Sequence, residues 1–249
     1  MALKKSVTKR KPKYQDPDYA IDDRGVYQEF MKFNNITLTP KQQAFCKTIK
    51  DNKVCVCLGP AGSSKSFSAI MESLKSLKKE ECEKIIFTKA IINVQNTNPI
   101  GFIKGDLSEK LEPYMASFQA NMVDILNEKD ATMLIETKKV EFKPIEYMRG
   151  STFKNSFIII DEFQNLTLEQ LMTVVTRLGK NSKMVFIGDI KQSDIKKSLI
   201  SINIFKEVLS GIENIGFFEF TKDDIVREEI IKKILDNYDR LVEEGKIIE

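Results

Sequence analysis

The chain has 249 residues, of which 42% are hydrophobic and 30% are charged, a balance typical of a globular protein with a substantial core. No apolar run approaches the roughly 20 residues of a membrane-spanning helix, and the basic amino end lacks the apolar stretch of a secretory signal. We therefore expect a cytoplasmic protein with no membrane partner. The absence of histidine excludes catalytic triads with a histidine base and the usual imidazole metal sites.

In chain order, short apolar strands alternate with segments that carry apolar residues at helical spacing. Thr39 and Pro40 are typical of a helix start, as an N-cap and a first-turn proline. The alternation favours an α/β fold, with a mostly parallel sheet and helices on both faces. The predicted helices are 26–33, 40–49, 65–77, 107–126 with an interruption at Pro113, 168–178 and 224–244; the predicted strands are Val54–Leu58, 84–88, 133–135 and Val140–Phe142 as a hairpin, 157–160, 183–187 and 217–220.

Basic residues dominate the amino end. Residues 1–13 contain six lysines or arginines and no acidic residue, whereas the rest of the chain is slightly acidic. Such a segment either attracts phosphate backbones nonspecifically or is simply a solvated terminus, and composition leaves both interpretations open. Since residues 1–24 lack apolar periodicity, we predict a basic, disordered tail at 1–24 and a single domain at 25–249.

The four cysteines lie singly within or beside apolar segments. Scattered thiols of this kind favour reduced core side chains over a disulfide framework. Cys55 and Cys57 alternate along one predicted strand, so we expect them to share a face as small hydrophobic groups rather than as metal ligands. The other two are Cys46 and Cys82.

A glycine-containing turn joins the strand Val54–Leu58 to the next predicted helix. It fits the phosphate-binding pattern G-x-x-x-x-G-K-[S/T] at Gly59, Lys65 and Ser66, with Ser64 in place of the second glycine. In such a loop, backbone N–H groups and the start of the helix converge on a phosphate while the lysine adds positive charge. The predicted nucleotide-binding residues of this turn are Gly59, Pro60, Ala61, Gly62, Ser63, Ser64, Lys65, Ser66 and Phe67.

Polar residues follow three of the predicted strands at their carboxyl ends, where parallel α/β sheets bind ligands. Lys65 suits the β- and γ-phosphates of a nucleotide, and Ser66 suits magnesium. Asp161 is expected to hold Mg²⁺ through water, with Glu162 polarising an attacking water, although acidic residues at strand ends also cap helices. Asp189 follows the third strand and is predicted to contact the nucleotide. Gln192, within the next turn, is predicted to sense the γ-phosphate or the lytic water.

Seven blocks of this sequence resemble the PhoH-like family, ATPases related to the superfamily 1 helicases. The resemblance covers most of the chain from about residue 38 to 238, and it implies a RecA-like core that binds ATP. It also makes residues 38–42 similar to an adenine-recognising glutamine motif, with Gln42 as the base contact and Gln43 as the neighbouring alternative. The blocks are Gly59-Pro-Ala-Gly-Ser-Ser-Lys-Ser66, Gly101-Phe-Ile-Lys-Gly-Asp-Leu-Ser-Glu-Lys110, Met148-Arg-Gly-Ser-Thr152, Asp161-Glu-Phe-Gln-Asn165, Thr176-Arg-Leu-Gly179, Gly188-Asp-Ile-Lys-Gln192 and Asp224-Ile-Val-Arg227.

The chain departs from the family pattern at several positions besides Ser64. Lys89 stands where the family commonly has arginine. It can contact a phosphate as a point charge, but it cannot form the bidentate hydrogen bonds of a guanidinium group. Phe163 replaces a usual alanine, and Glu228 replaces a histidine.

Arginines within the family blocks are candidates to neutralise the transition state. We predict that Arg227 or Arg177 acts across a subunit interface in a homo-oligomeric ring, a hexamer as the resemblance suggests. The alternative is an arginine paired within its own fold, and Arg149 is the third candidate.

Single-stranded RNA or DNA is the expected partner, bound with little sequence preference because the chain has no recognition-helix or zinc signature. Candidate contacts are Lys89, Phe102 and Lys104, with Phe102 either stacking on a base or anchoring its own loop. The first functional hypothesis is a Mg²⁺-dependent ATPase that acts as a helicase or translocase. The alternatives are an ATP-switched binding module that does not unwind, and a degenerate P-loop protein that scarcely hydrolyses ATP.

Overall fold

The computed structural model describes residues 31–90, 107–189, 196–226 and 229–246. These residues form six strands and the helices around them. The strands are β1 (Val54–Leu58), β2 (Lys84–Lys89), β3 (Val140–Phe142), β4 (Ser156–Asp161), β5 (Lys183–Gly188) and β6 (Ile215–Glu219). The α-helices are α1 (Pro40–Asp51), α2 (Lys65–Lys78), α3 (Leu107–Ile125), α4 (Glu128–Glu136), α5 (Leu168–Val175), α6 (Lys196–Leu209) and α7 (Glu229–Glu243), with 3-10 turns at Ile145–Met148, Phe163–Asn165 and Lys222–Asp224.

The strands form one sheet in the order β3-β2-β4-β5-β1-β6, and every neighbouring pair in it is parallel. Side chains alternate between its two faces. On one face, Cys55, Cys57 and their neighbours pack against α1, α2, α3 and α4. On the other, Val56, Leu58 and their neighbours pack against α5 and α6. The predicted α/β fold is therefore confirmed, and the four cysteines are buried free thiols as expected.

Strand β5 lies between β1 and β4, which places the ends of three strands side by side. Leu58 at the end of β1 pairs with Gly188, and Asp161 at the end of β4 pairs with Ile187. Since neighbouring strands are about 4.8 Å apart, the carboxyl ends of β1 and β4 lie about 10 Å apart, with the end of β5 between them.

The predicted hairpin of strands 133–135 and Val140–Phe142 is wrong. Residues 133–135 belong to α4, where Asn127 caps the helix by accepting a hydrogen bond from the N–H of Asp130 at 2.9 Å. Ala131 and Leu134 then face the core one turn apart, as a helix requires. Strand β3 pairs with β2 instead, in parallel.

Four further boundaries differ from the prediction. Helix α3 continues across Pro113, since proline removes only one backbone hydrogen bond and the buried Phe118 holds the helix beyond it. Helix α5 ends at Val175 because the chain turns back to pair with Phe153, and α7 begins after a separate turn at Lys222–Asp224. In the predicted helix 26–33, residues 31–33 are not helical and 26–30 lie outside the described residues. Within the described ranges, no helix is long and apolar enough to cross a bilayer.

Candidate active site

The turn after β1 has a glycine that its surroundings require. A side-chain carbon added at Gly59 would lie 2.6 Å from the Cβ and 2.9 Å from the carbonyl oxygen of Phe220. Two strands therefore approach too closely for any other residue. Gly62, further along the turn, has a left-handed backbone with φ +85°. Its carbonyl accepts a hydrogen bond from the N–H of Val226 at 2.9 Å, which fastens the turn to the segment before α7.

Ser64 has the backbone conformation of the glycine that it replaces. Its φ of 60° and ψ of 30° are left-handed, a conformation that costs an L-residue about 1–2 kcal/mol and glycine nothing. Although Ser64 is the N-cap of α2, its hydroxyl makes no capping hydrogen bond. The serine therefore strains the backbone without a compensating contact in the loop.

Lys65 folds back over the turn. Its Nζ donates to the carbonyl oxygens of Gly59 at 2.8 Å and Pro60 at 2.7 Å, and the residue is only 8% exposed. Burial lowers the pKa of Lys65, while the negative charges of Asp189, Asp161 and Glu162 oppose that shift. The ammonium group is thus poorly solvated, and an anionic phosphate would be a strong alternative acceptor.

A hydroxyl and a carboxylate meet between the turn and β4. Ser66 Oγ donates to Asp161 Oδ1 at 3.1 Å, and Asp161 is buried. Burial, followed by repulsion from Glu162, raises the pKa of Asp161 to about 6, although the charge of Lys89 and the Ser66 hydrogen bond oppose this shift. Two hard oxygen donors in contact beside a phosphate-binding turn are the ligand type that Mg²⁺ prefers, so the residues present fit that ion.

Glu162 is held by a neighbour whose function the sequence did not reveal. Gln164 is 1% exposed, and its Nε2 donates to Glu162 Oε2 at 2.6 Å. Its Oε1 accepts from the N–H of Asp189 at 3.1 Å, so one amide joins the ends of β4 and β5. A Cβ at Gly188 would come within 2.8 Å of that Oε1 and of the Phe163 ring. The sequence signals for Gln164 were its place two residues after Glu162 and its inclusion in the family block at 161–165.

Asp189 braces the phosphate-binding turn. Its Oδ2 accepts from the N–H of Ala61 at 2.9 Å, across 128 residues of sequence, and the side chain is buried. The predicted nucleotide contact is therefore also a structural tie between β5 and the loop.

These groups line one cleft of about 410 Å³, within the usual size range of ligand pockets. Four of its residues were not predicted as site residues: Asn121 on α3, Ile187 and Gly188 at the end of β5, and Val226 before α7. Gly188 and Val226 lie within the family blocks, whereas nothing in the sequence context of Asn121 distinguishes it from an ordinary polar residue. The lining residues are Ala61, Gly62, Ser64, Lys65, Ser66, Phe67, Asn121, Asp161, Glu162, Ile187, Gly188, Asp189 and Val226.

Six predicted site residues within the described part of the chain do not line the cleft: Gly59, Pro60 and Ser63 of the turn, and Gln42, Arg177 and Lys89 elsewhere. Gln42 is buried and completes a capping box, with its Oε1 accepting from the N–H of Thr39 at 2.9 Å. Arg177 donates to Thr173 O at 3.1 Å and Ser151 O at 3.5 Å in its own chain. Lys89 ends β2 beside Asp161. The remaining predicted site residues, Gln192, Arg227, Phe102 and Lys104, lie outside the described residues.

Comparison with known proteins identifies the family. The PhoH-like protein family matches residues 36–239, which include every element of the cleft. The chain belongs to the PhoH-like family. It is 34% identical over 203 residues to PhoH-like proteins of Synechocystis sp. and Bacillus subtilis, covering 81% of this chain and 61% and 63% of theirs. It is 31% identical over 200 residues to protein PhoH of Escherichia coli, covering 79% of this chain and 56% of that protein.

This PhoH-like chain thus spans about three fifths of the length of the curated relatives that it matches. Among solved structures, it is similar to the Pyrococcus furiosus Hef helicase domain with a TM-score of 0.43 and 13% identity, covering 72% of this chain and 37% of that one. It is also similar to the large terminase of a thermophilic bacteriophage, with a TM-score of 0.48 and 10% identity, covering 83% and 50%. The predicted family is confirmed, and so is the predicted parallel sheet with helices on both faces.

Proposed function

We propose that this chain is a Mg²⁺-dependent ATPase that moves along or unwinds single-stranded RNA or DNA in the cytoplasm. The observation that carries the ATPase is the contact of Ser66 with Asp161 beside Lys65 and Glu162, in the cleft beyond the carboxyl ends of β1, β5 and β4. In this proposal, residues 25–249 form the ATPase domain, and residues 1–24 form a basic tail that precedes it.

Each side chain in the cleft has a distinct role in this proposal. Lys65 exchanges its carbonyl partners for the β- and γ-phosphate oxygens of ATP. Ser66 and Asp161 hold Mg²⁺, which supplies charge neutralisation for the phosphates when bound. Glu162 accepts the proton of the attacking water, and Gln164 orients that carboxylate. Gln192 senses the γ-phosphate, and Gln42 or Gln43 lies near the base.

ATP turnover with and without single-stranded RNA and DNA tests this function, with Glu162→Gln as the matched variant. We expect nucleic acid to stimulate wild-type turnover, and Glu162→Gln to bind ATP while losing hydrolysis. Turnover that no nucleic acid affects would contradict the motor and favour the ATP-switched binding module. No turnover in the wild type would favour the degenerate P-loop protein.

We further propose a ring in which one subunit completes the site of its neighbour. Arg177 donates to carbonyl oxygens of its own chain, and Arg227 lies outside the described residues. Arg227 and Arg177 are both candidates for the arginine that neutralises the transition state across the interface. Mixing Arg227→Ala subunits with Lys65→Ala subunits should recover ATPase activity at shared sites. If no mixture recovers activity for Arg227 or for Arg177, the arginine acts within its own chain.

A further inference from the structure

The turn between β3 and β4 presents an aromatic ring to solvent. Tyr147 is 61% exposed, although it lies on a 3-10 turn, Ile145–Met148, whose two end residues are buried. Ile145 is 7% exposed and Met148 is 0% exposed, so the turn is anchored in the core while the ring points outward. The exposure of Tyr147 is therefore built into the fold and does not result from a loosely packed loop.

A weakly paired arginine follows the ring. Arg149 lies 3.9 Å from Glu169, and the two side chains are 66% and 86% exposed. An ion pair this exposed contributes little stability, so the guanidinium is available to a phosphate. Gly150 then turns the chain with φ +73° and open space around it, which leaves this side of the turn accessible.

This turn lies at the same edge of the sheet as the nucleotide cleft. Lys143, directly after β3, donates its N–H to Phe87 O at 2.9 Å, and β2 ends next to it at Lys89. Lys89 pairs in register with Asp161, the residue that contacts Ser66. Strands β2 and β4 therefore lie between β3, which the turn follows, and the cleft.

We propose that Tyr147 and Arg149 form a binding site for single-stranded nucleic acid, with the ring stacking on a base and the guanidinium holding a backbone phosphate. This inference rests on the proposed function and names a contact surface for it. A protein partner would need an apolar patch around the aromatic residue. Among the described residues between 124 and 199, no other large hydrophobic side chain is exposed. A lone ring beside a charged side chain suits a base and its phosphate.

Fluorescence anisotropy with labelled single-stranded RNA and DNA oligomers tests the site. Tyr147→Ala should weaken binding by about 5- to 150-fold, whereas Tyr147→Phe keeps the ring and should stay within about twofold. Arg149→Ala should reduce the slope of log K against log salt by about 0.7, the loss of one phosphate contact on a single strand. Glu169→Gln removes the competing carboxylate and should leave binding equal or tighter. Circular dichroism and thermal melting verify that each variant is folded.

A photoreactive base in the oligomer gives a second readout, with Tyr147 as the expected crosslinked residue in mass spectrometry. If the wild type binds and folded Tyr147→Ala binds equally well, this site is wrong while the proposed function stands. If the wild type binds neither RNA nor DNA, the nucleic-acid function fails and this site fails with it.

Discussion

Replacing Ser64 with glycine should stabilise the protein. The φ of 60° at this position costs serine about 1–2 kcal/mol, and glycine removes that cost. The added freedom of glycine in the unfolded chain offsets about 0.4–1 kcal/mol. No hydrogen bond is lost, because the Ser64 hydroxyl caps nothing and its carbonyl still accepts from Ser68. The net gain is about 0–1.6 kcal/mol, and its centre near 0.8 kcal/mol raises the melting temperature of a chain this long by roughly 2–3 °C.

The matched control is Ser63→Gly, one residue earlier. Ser63 is fully buried and its hydroxyl donates to Pro60 O at 2.8 Å, so this change should lower the melting temperature. Calorimetric ATP titration accompanies the melting curves, and Ser64→Gly should bind ATP as tightly as the wild type or more tightly. A lower melting temperature for Ser64→Gly, or a loss of ATP affinity beyond about tenfold, would refute the strain argument. The serine hydroxyl would then have a role in binding.

The remaining predictions concern buried groups. Gln164→Met removes the amide that holds Glu162, so kcat should fall about 10- to 100-fold with little change in KM; Gln170→Met, at a helix cap remote from the cleft, should leave kcat unchanged. An equal rise in KM would contradict an orienting role. The Thr88 hydroxyl is buried and has no hydrogen-bond partner among the described residues, so Thr88→Val should raise the free energy of unfolding by about 1 kcal/mol in urea melts, and a decrease would point to a partner elsewhere in the chain. Burial raises the thiol pKa of Cys46 to about 11 and of Cys55 and Cys82 to about 12, so these groups stay protonated at pH 8. Ellman's reagent should then react slowly with the folded protein and fast with all four cysteines after denaturation; rapid reaction of the folded chain would contradict their burial.

Local signals in the sequence were sufficient to predict the sheet and the ends of its strands. Four apolar residues before Asp161 predict a buried central strand, and the structure places that carboxylate against Ser66. A parallel strand that is buried on both faces consists almost entirely of apolar residues, so its composition is enough to identify it in the sequence. The same holds for β1 and β5, whose carboxyl ends supply the loop and Asp189.

Contacts between distant residues were not predictable in this way. The bond from Ala61 to Asp189 spans 128 residues, and Gln164 is recognisable as a bridge only once β4 and β5 are adjacent. Gln42 was predicted as a base contact from a local motif, yet its side-chain oxygen completes the cap of α1. Residues 133–135 were predicted as a strand because a short apolar run is compatible with both helical and strand periodicity. The N-cap at Asn127 begins a helix that includes them.

The position of β5 between β1 and β4 has a consequence for how this domain changes during evolution. Asp189 uses its carboxylate to hold the phosphate-binding loop and its backbone N–H to hold Gln164, which holds Glu162. In the proposed function, nucleotide affinity depends on the loop and turnover depends on Glu162. A substitution of Asp189 removes the carboxylate that holds the loop, but every residue except proline keeps the backbone N–H that holds Gln164. Selection can therefore change the loop at Ser64 or Asp189, and the orientation of Glu162 at Gln164, independently of one another.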